Sequence, residues 1–359
     1  MLARATFLWF CLLTATAAAE MAPACWAPGD LAHRKGEERV QRGVTQARIA
    51  PPSRTLADYS PLPQGGAVRR VKLPAGKKLI ALTFDLCEQP FEVSGYQGGI
   101  VDFLRQNAIK ATFFIGGKWM LSHRERTQQL MVDPLFQVAN HTWQHRNLRM
   151  VSGPALVDEI RNAQLAYEQV RDELAAKQCI GPEHVAFAHE RAPKRLGLFR
   201  FPYGACSPRA LQEVADLGLI PIQWDVSSGD PTFGLTAAAM SRQVLANVQP
   251  GSIVLFHANG RGWHTDGALP GIVAALKAQG YEFVTVSELL AAGEPVMTAT
   301  CYDSHPGDRD HHPPIPMSNR FERPFERYST HASGAPAFAW PWLSSGATVS
   351  RPATAARGR

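Results

Sequence analysis

The sequence predicts an α/β fold with parallel strands, and two observations predict it. Short apolar runs rich in β-branched and aromatic residues alternate with helical patterns over about 215 residues, between 77 and 295. The composition, 45% hydrophobic and 19% charged over 359 residues, is ample for a packed core. It excludes a low-complexity, collagen-like or charge-driven disordered chain.

The elements follow in order. Leu79–Phe84 (LIALTF) reads as a buried strand, Gly98–Gln106 as a helix, and Ala111–Ile115 (ATFFI) as a strand. Val157, Ile160, Ala163, Ala166, Val170 and Leu174 fall at helical spacing and predict a helix over Leu156–Leu174. Leu198–Phe201 is a short strand. Ser207 followed by Pro208 supplies an N-cap and a proline at the first helical position, opening a helix through Leu217. Leu219–Trp224 is a strand, Thr236–Val248 a helix and Ser252–Phe256 a strand. A helix over Leu269–Ala278 closes at Gly280, Phe283–Val286 is a strand, and Ser287 caps the last helix.

The ends differ in kind. Arg4, the apolar run Phe7–Leu13 and Ala17-Ala18-Ala19 read as a secretory signal over 1–19, cleaved after Ala19. The run is too short to cross about 30 Å of hydrocarbon, and no later segment reads as a transmembrane helix. The expected location is therefore periplasmic or secreted. Residues 20–76 carry nine basic and five acidic side chains among Pro and Gly, and read as an extended, loosely held leader. Residues 296–359 are Pro-rich, then Ser/Ala/Gly-rich, and read as a disordered tail. The formal charge of +6 is spread along the chain with no Lys/Arg patch, which argues against a nucleic-acid partner. Of six cysteines, Cys11 leaves with the signal. Cys25, Cys87, Cys179, Cys206 and Cys301 remain for an oxidising compartment, an odd number.

In folds of this class, polar residues at the C-terminal ends of strands converge on one site. Here they are Asp85, the pair His141 and His145, Arg200, Asp230 and His257. A carboxylate that can activate water, paired imidazoles that can clamp a metal and a further His that can protonate a leaving group make a hydrolase kit. Spacing at i and i+4 would put His141 and His145 on one helical face.

These residues fall in motifs: Thr83-Phe84-Asp85, His141-Thr142-Trp143-Gln144-His145, Arg200-Phe201-Pro202-Tyr203-Gly204, a degraded motif at Ser227–Pro231 that keeps Asp230, and Leu255-Phe256-His257. In that order they resemble the polysaccharide deacetylase family, the NodB-type carbohydrate esterases of family 4, over about 77–292. The resemblance implies a distorted, incomplete (β/α) barrel that removes acetyl groups, chiefly N-acetyl groups of amino sugars, from an acetylated polysaccharide or oligosaccharide. It implies Asp85 as the base, His141 and His145 as ligands of a divalent metal, zinc first, and Arg200 as the holder of Asp85. The Tyr203 backbone N–H would stabilise the oxyanion, His257 would be the acid oriented by Asp230, and Leu255 would line the acetyl pocket.

The chain departs from the family pattern at Leu86, where the family carries a second, metal-binding Asp. Glu88 or Asp85 is expected to supply the third ligand, ahead of a Cys87 thiolate. Cys87 and Cys206 should meet at one rim of the barrel and are expected to bond, with Cys25–Cys301 as a second bridge and Cys179 left over. Pro231 stands where the family has Trp, and Lys177–Leu198 reads as an inserted loop. The alternative to a deacetylase is a non-catalytic glycan-binding relative that has lost the metal.

Overall fold

The computed structural model describes residues 25–56, 59–63, 65–177, 179 and 192–309. The signal segment 1–19, most of the inserted loop and residues 310–359 lie outside the described residues.

Eight strands build the central sheet: β1 Leu79–Leu86, β2 Ala111–Ile115, β3 Phe136–Asn140, β4 Leu198–Phe199, β5 Ile220–Pro221, β6 Val226–Ser227, β7 Ile253–His257 and β8 Glu282–Phe283. Their order is β5-β4-β3-β2-β1-β7-β6, and β8 pairs with the start of β1. Every pairing is parallel, so the sheet is a curled half-barrel with helical crossovers. The two edge strands, β5 and β6, are joined by only Ile222–Asp225, so the chain steps directly across the open seam.

Period-two alternation sorts the β1 and β7 side chains. On one face Phe84 stacks between Phe113 and Phe256, with ring centroids 5.4 and 5.5 Å apart. That face is the core, where Leu82, Ile115, Trp119, Leu269 and Ile272 are fully buried. The opposite face carries Thr83, Asp85, Leu255 and His257, and in register Leu255 lies beside Thr83 and His257 beside Asp85. Leu86 belongs to the core cluster and offers no donor to the site.

Most predicted helices stand close to their expected bounds. Pro154–Ala175 buries Ile160, Ala163, Val170 and Leu174. Pro208–Asp216 opens on Ser207, whose hydroxyl accepts from the Ala210 N–H at 3.2 Å. The last helix begins earlier than expected: Thr285, not Ser287, is its N-cap, in a capping box with Glu288. The runs Leu198–Phe201 and Leu219–Trp224 keep only two ladder residues each.

The ends differ from the expectation. The leader packs against the barrel through Trp26 and Ala47, both buried, and through Arg126, which binds Glu37 at 2.9 Å. Glu294–Thr298 pairs antiparallel with Ala67–Lys72, and Cys301 is buried, so the residues just past 296 belong to the fold. Apolar content is too low there to signal order, which comes from strand addition and a covalent tie.

The expected Cys87–Cys206 and Cys25–Cys301 bridges are replaced. Cys206 bonds Cys301, Cys25 bonds Cys179, and Cys87 is a buried free thiol. Cys87 continues inward from β1 and faces the site, whereas Cys206 precedes a helix that packs in a separate core cluster with Cys301.

Candidate functional site

The C-terminal ends of four strands converge. Asp85 lies near the end of β1 and His257 ends β7, paired in register. His141 follows β3, where its N–H donates to the Ile115 carbonyl at 3.1 Å, and Arg200 follows β4, where its N–H donates to the Asn140 carbonyl at 2.9 Å.

Arg200 is wholly enclosed. Its Nη1 donates to Asp85 Oδ1 at 2.8 Å and to Thr83 Oγ1 at 2.8 Å. Its Nε and Nη2 reach the Ile222 and Gln223 carbonyls at 3.3 Å. The guanidinium lies 3.8 Å over the Phe114 ring, an arrangement that suits a desolvated cation. The buried positive charge fixes one Asp85 oxygen and leaves the other, Oδ2, facing His141.

Asp230 is buried and fully engaged. Oδ1 lies 2.8 Å from His257 Nδ1, and Oδ2 accepts from the His257 N–H at 2.7 Å and Thr265 Oγ1 at 2.8 Å. Burial pulls the His257 pKa down, but the charge and hydrogen bond of Asp230 outweigh it and hold the imidazole above its ordinary value. Gly262 is required here, because a Cβ would stand 2.7 Å from Asp230 Oδ2 and 2.5 Å from the His257 carbonyl.

His141 and His145 meet with ring centroids 5.0 Å apart, yet not on a helix. Thr142 and His145 both adopt left-handed backbone conformations, φ 65° and 60°, in an irregular turn. Asn140 Oδ1 accepts from the Thr142 N–H and Thr142 Oγ1 from the His145 N–H, which stabilises the turn. The sequence pattern is compatible with either geometry, and the side-chain bonds to the backbone decide for the turn.

His141 Nδ1 faces the Arg200 carbonyl at 3.0 Å and must donate to it, so Nε2 carries the lone pair. That nitrogen is buried without a hydrogen-bond partner and lies 3.3 Å from Asp85 Oδ2. Two acceptors face one another there, an arrangement that calls for a cation. His145 Nδ1 is likewise buried and unpartnered. Burial lowers the pKa of both imidazoles; Asp85 opposes it in part at His141, whereas the charge of His141 adds to it at His145, so both favour the neutral, metal-binding form.

Among the described residues, Cys87, His141 and His145 place their donor atoms within 4.8 Å of one another. Three protein donors with a fourth position left open is the usual form of a catalytic zinc site, so the residues fit a divalent ion. The expected third ligands stand elsewhere. Glu88 is turned into a separate polar pocket, where it accepts from Ser122 Oγ at 2.7 Å and the Ser94 N–H at 3.1 Å and pairs with Lys118 at 3.2 Å. Asp85 is committed to Arg200 and reaches only His141. Burial raises the Cys87 thiol pKa.

Tyr203 sits in the turn Pro202–Gly204 with φ 60°, its ring 4.5 Å from that of His145. It lines an open cavity of about 520 Å³ with Gln89, Gln144, His145 and Met150. Leu255 is buried on the site face of β7. Sequence reasoning missed Asn259, Thr265 and Gly262, and gave Thr83 no role beyond its place in a motif. Asn259 had a signal: it lies two residues past His257, as Cys87 lies two past Asp85, and its Nδ2 donates to Cys87 Sγ at 3.0 Å.

Comparison with known proteins gives the family. The pattern described as Polysaccharide deacetylase matches residues 72–222. A peptidoglycan-N-acetylglucosamine deacetylase of Bacillus cereus is 30% identical over 219 residues, covering 60% of this chain and 70% of that protein. The chain belongs to the polysaccharide deacetylase family. A peptidoglycan-N-acetylglucosamine deacetylase of Listeria monocytogenes is 30% identical over 64% of this chain, and the match spans only 42% of that longer protein. A solved peptidoglycan N-acetylglucosamine deacetylase superposes with TM-score 0.50 at 26% identity, over 64% of this chain and 94% of that one. The fold is thus that of the carbohydrate esterase family 4 deacetylases. No described helix is long and apolar enough to cross a membrane.

Proposed function

We propose that this chain hydrolyses N-acetyl groups on amino sugars of an exported polysaccharide, peptidoglycan being the first substrate to test. One observation carries the reading: Asp85 and His257 face each other from paired strand ends, each clamped by a partner of opposite charge, beside two imidazole nitrogens that lack partners. The names of the relatives point to the same substrate class. The secretory pattern of the first nineteen residues supports export.

Each residue then has a task. Asp85 Oδ2, the oxygen that Arg200 leaves unbound, takes a proton from the attacking water. Arg200, itself fully buried, fixes the base and balances its charge. His257, whose proton affinity Asp230 raises, gives a proton to the departing amine, which is too basic to leave as an anion. The Tyr203 backbone N–H is assigned to the developing oxyanion, and Leu255 to the acetyl methyl. A divalent ion held by His141 and His145 would supply Lewis acidity toward the carbonyl.

Leu86, which offers no metal donor, speaks for the non-catalytic alternative, and the presence of Asp85, Arg200 and His257 together speaks for the enzyme, since a pure binder needs neither an acid nor a base. The test is acetate release from N-acetylglucosamine oligomers and from peptidoglycan, with zinc added. Release by the wild type and its loss in Asp85→Asn supports the reading. Glycan binding without acetate release rejects it.

A further inference from the structure

We propose that Cys87 is a metal ligand, so that this chain holds its ion through one thiolate and two imidazoles where its family uses a carboxylate. The inference rests on the metal-bearing reading of the site and adds the identity of the third donor.

Four observations carry it. Among the described residues, Cys87, His141 and His145 are the group whose donors converge, and Asp85 and Glu88 are not in it. His141 Nε2 and His145 Nδ1 are buried and without partners, so two lone pairs await an occupant. Among the described residues, Cys87 is the cysteine left unpaired while Cys25, Cys179, Cys206 and Cys301 are bonded, although an exported chain meets an oxidising solvent. Finally, the sulfur has a dedicated donor. Asn259 Nδ2 bonds the Cys87 carbonyl at 2.7 Å, and since a carbonyl only accepts, the amide NH2 group must be the one facing that side. The same NH2 group lies 3.0 Å from Sγ. A neutral donor aimed at sulfur favours the anion and fixes its direction, as supporting groups around metal ligands do.

The position follows from strand geometry. Asp85 and Cys87, two residues apart, share the site face of an extended chain, whereas Leu86 between them packs in the core. The donor lost at Leu86 is replaced one residue later, with sulfur in place of oxygen. On binding, the ion takes the place of the thiol proton, which passes to solvent. A thiolate selects softer ions, so zinc and cobalt should be preferred to manganese and magnesium.

The test is spectroscopic and needs no turnover. The purified full chain, stripped with a chelator, is titrated with cobalt(II). A near-ultraviolet sulfur-to-cobalt charge-transfer band is expected in the wild type. Cys87→Ser should lose the band and bind zinc at least about 100-fold more weakly, while Cys87→Asp should bind cobalt without the band. Cobalt d–d bands without the sulfur band, unchanged in Cys87→Ser, would overturn the thiolate and leave the two-imidazole centre standing. No binding of cobalt or zinc by the wild type overturns both. Should Cys87→Ser fail to fold, X-ray absorption of the zinc-loaded wild type decides. A sulfur shell at about 2.3 Å beside nitrogen at about 2.0–2.1 Å supports the assignment, and a nitrogen and oxygen shell alone rejects it.

Discussion

Asp230→Asn isolates the acid half of the proposed mechanism, because the substitution keeps shape and removes charge. In the wild type, Asp230 Oδ1 stands 2.8 Å from His257 Nδ1, so that nitrogen is the donor, and the carboxylate raises the proton affinity of the ring above its ordinary value. In the variant the amide NH2 group faces Nδ1, which must then become an acceptor. Burial, no longer opposed by the carboxylate, pushes the His257 pKa down. Loss of a hydrogen bond to a charged group costs about 1.5–3 kcal/mol. At about 1.36 kcal/mol per decade, that alone is about 10- to 150-fold in rate. Loss of the protonated form adds to it at neutral pH. We therefore expect kcat to fall by about 100-fold or more at pH 7. The sign with pH is fixed: the wild-type imidazolium persists above the usual range for His, so the alkaline limb of kcat/KM should move to lower pH in the variant. Acetate release from N-acetylglucosamine oligomers across pH 5–10 measures both, with a thermal melt as the folding control. An unmoved alkaline limb, or near wild-type turnover in a folded variant, would refute the assignment of His257 as acid.

The remaining predictions concern separate parts of the molecule. Asp85→Asn and His257→Ala should each lower acetate release by about 100-fold or more while the melt stays cooperative; a folded variant with near-normal turnover removes that residue from the chemistry. Alkylation under denaturing, non-reducing conditions should label Cys87 but none of Cys25, Cys179, Cys206 and Cys301. Recovery of labelled Cys206 would contradict the pairing. Cys301→Ala should cost about 2–5 kcal/mol in urea unfolding, because the bridge closes a loop of sequence separation 95. Trp263→Ala should raise KM for oligosaccharides more than it lowers kcat. Trp263 is half exposed, forms an edge-to-face pair with exposed Phe233, and its backbone N–H bonds the Asp230 carbonyl at 2.8 Å. An unchanged KM excludes that pair from substrate contact.

Residues whose pattern matches the local geometry were legible in the sequence. LIALTF, ATFFI and SIVLF are buried parallel strands, and their apolar runs say so directly. Ser207-Pro208 marked a helix start because cap chemistry is local. The Asp85–Arg200 and His257–Asp230 pairings were reached only through the family resemblance, since residues 115 and 27 positions apart carry no mutual signal in a single sequence. The helix Arg124–Val132 was invisible. It buries Arg126, Thr127, Gln128 and Gln129, so it lacks an apolar stripe, and Arg126 is satisfied by carbonyls and Glu37 from the leader. The cysteine pairing failed for a related reason: proximity to motifs does not reveal which face of a strand a thiol occupies.

Arg200 has a mechanical consequence beyond its contact with Asp85. The carbonyls it binds, those of Ile222 and Gln223, belong to the four-residue step between the two edge strands. Below them Val68 bridges to Ile222 and Arg70 to Ser252, so the strand Ala67–Lys72 spans the gap from beneath. One guanidinium is thus the keystone of an arch and the clamp on the proposed base. The cleft cannot widen at this seam without pulling Asp85 out of position. A ligand that bound by forcing this seam apart would displace the proposed base as well, so fit at the seam and the placement of Asp85 would fail together.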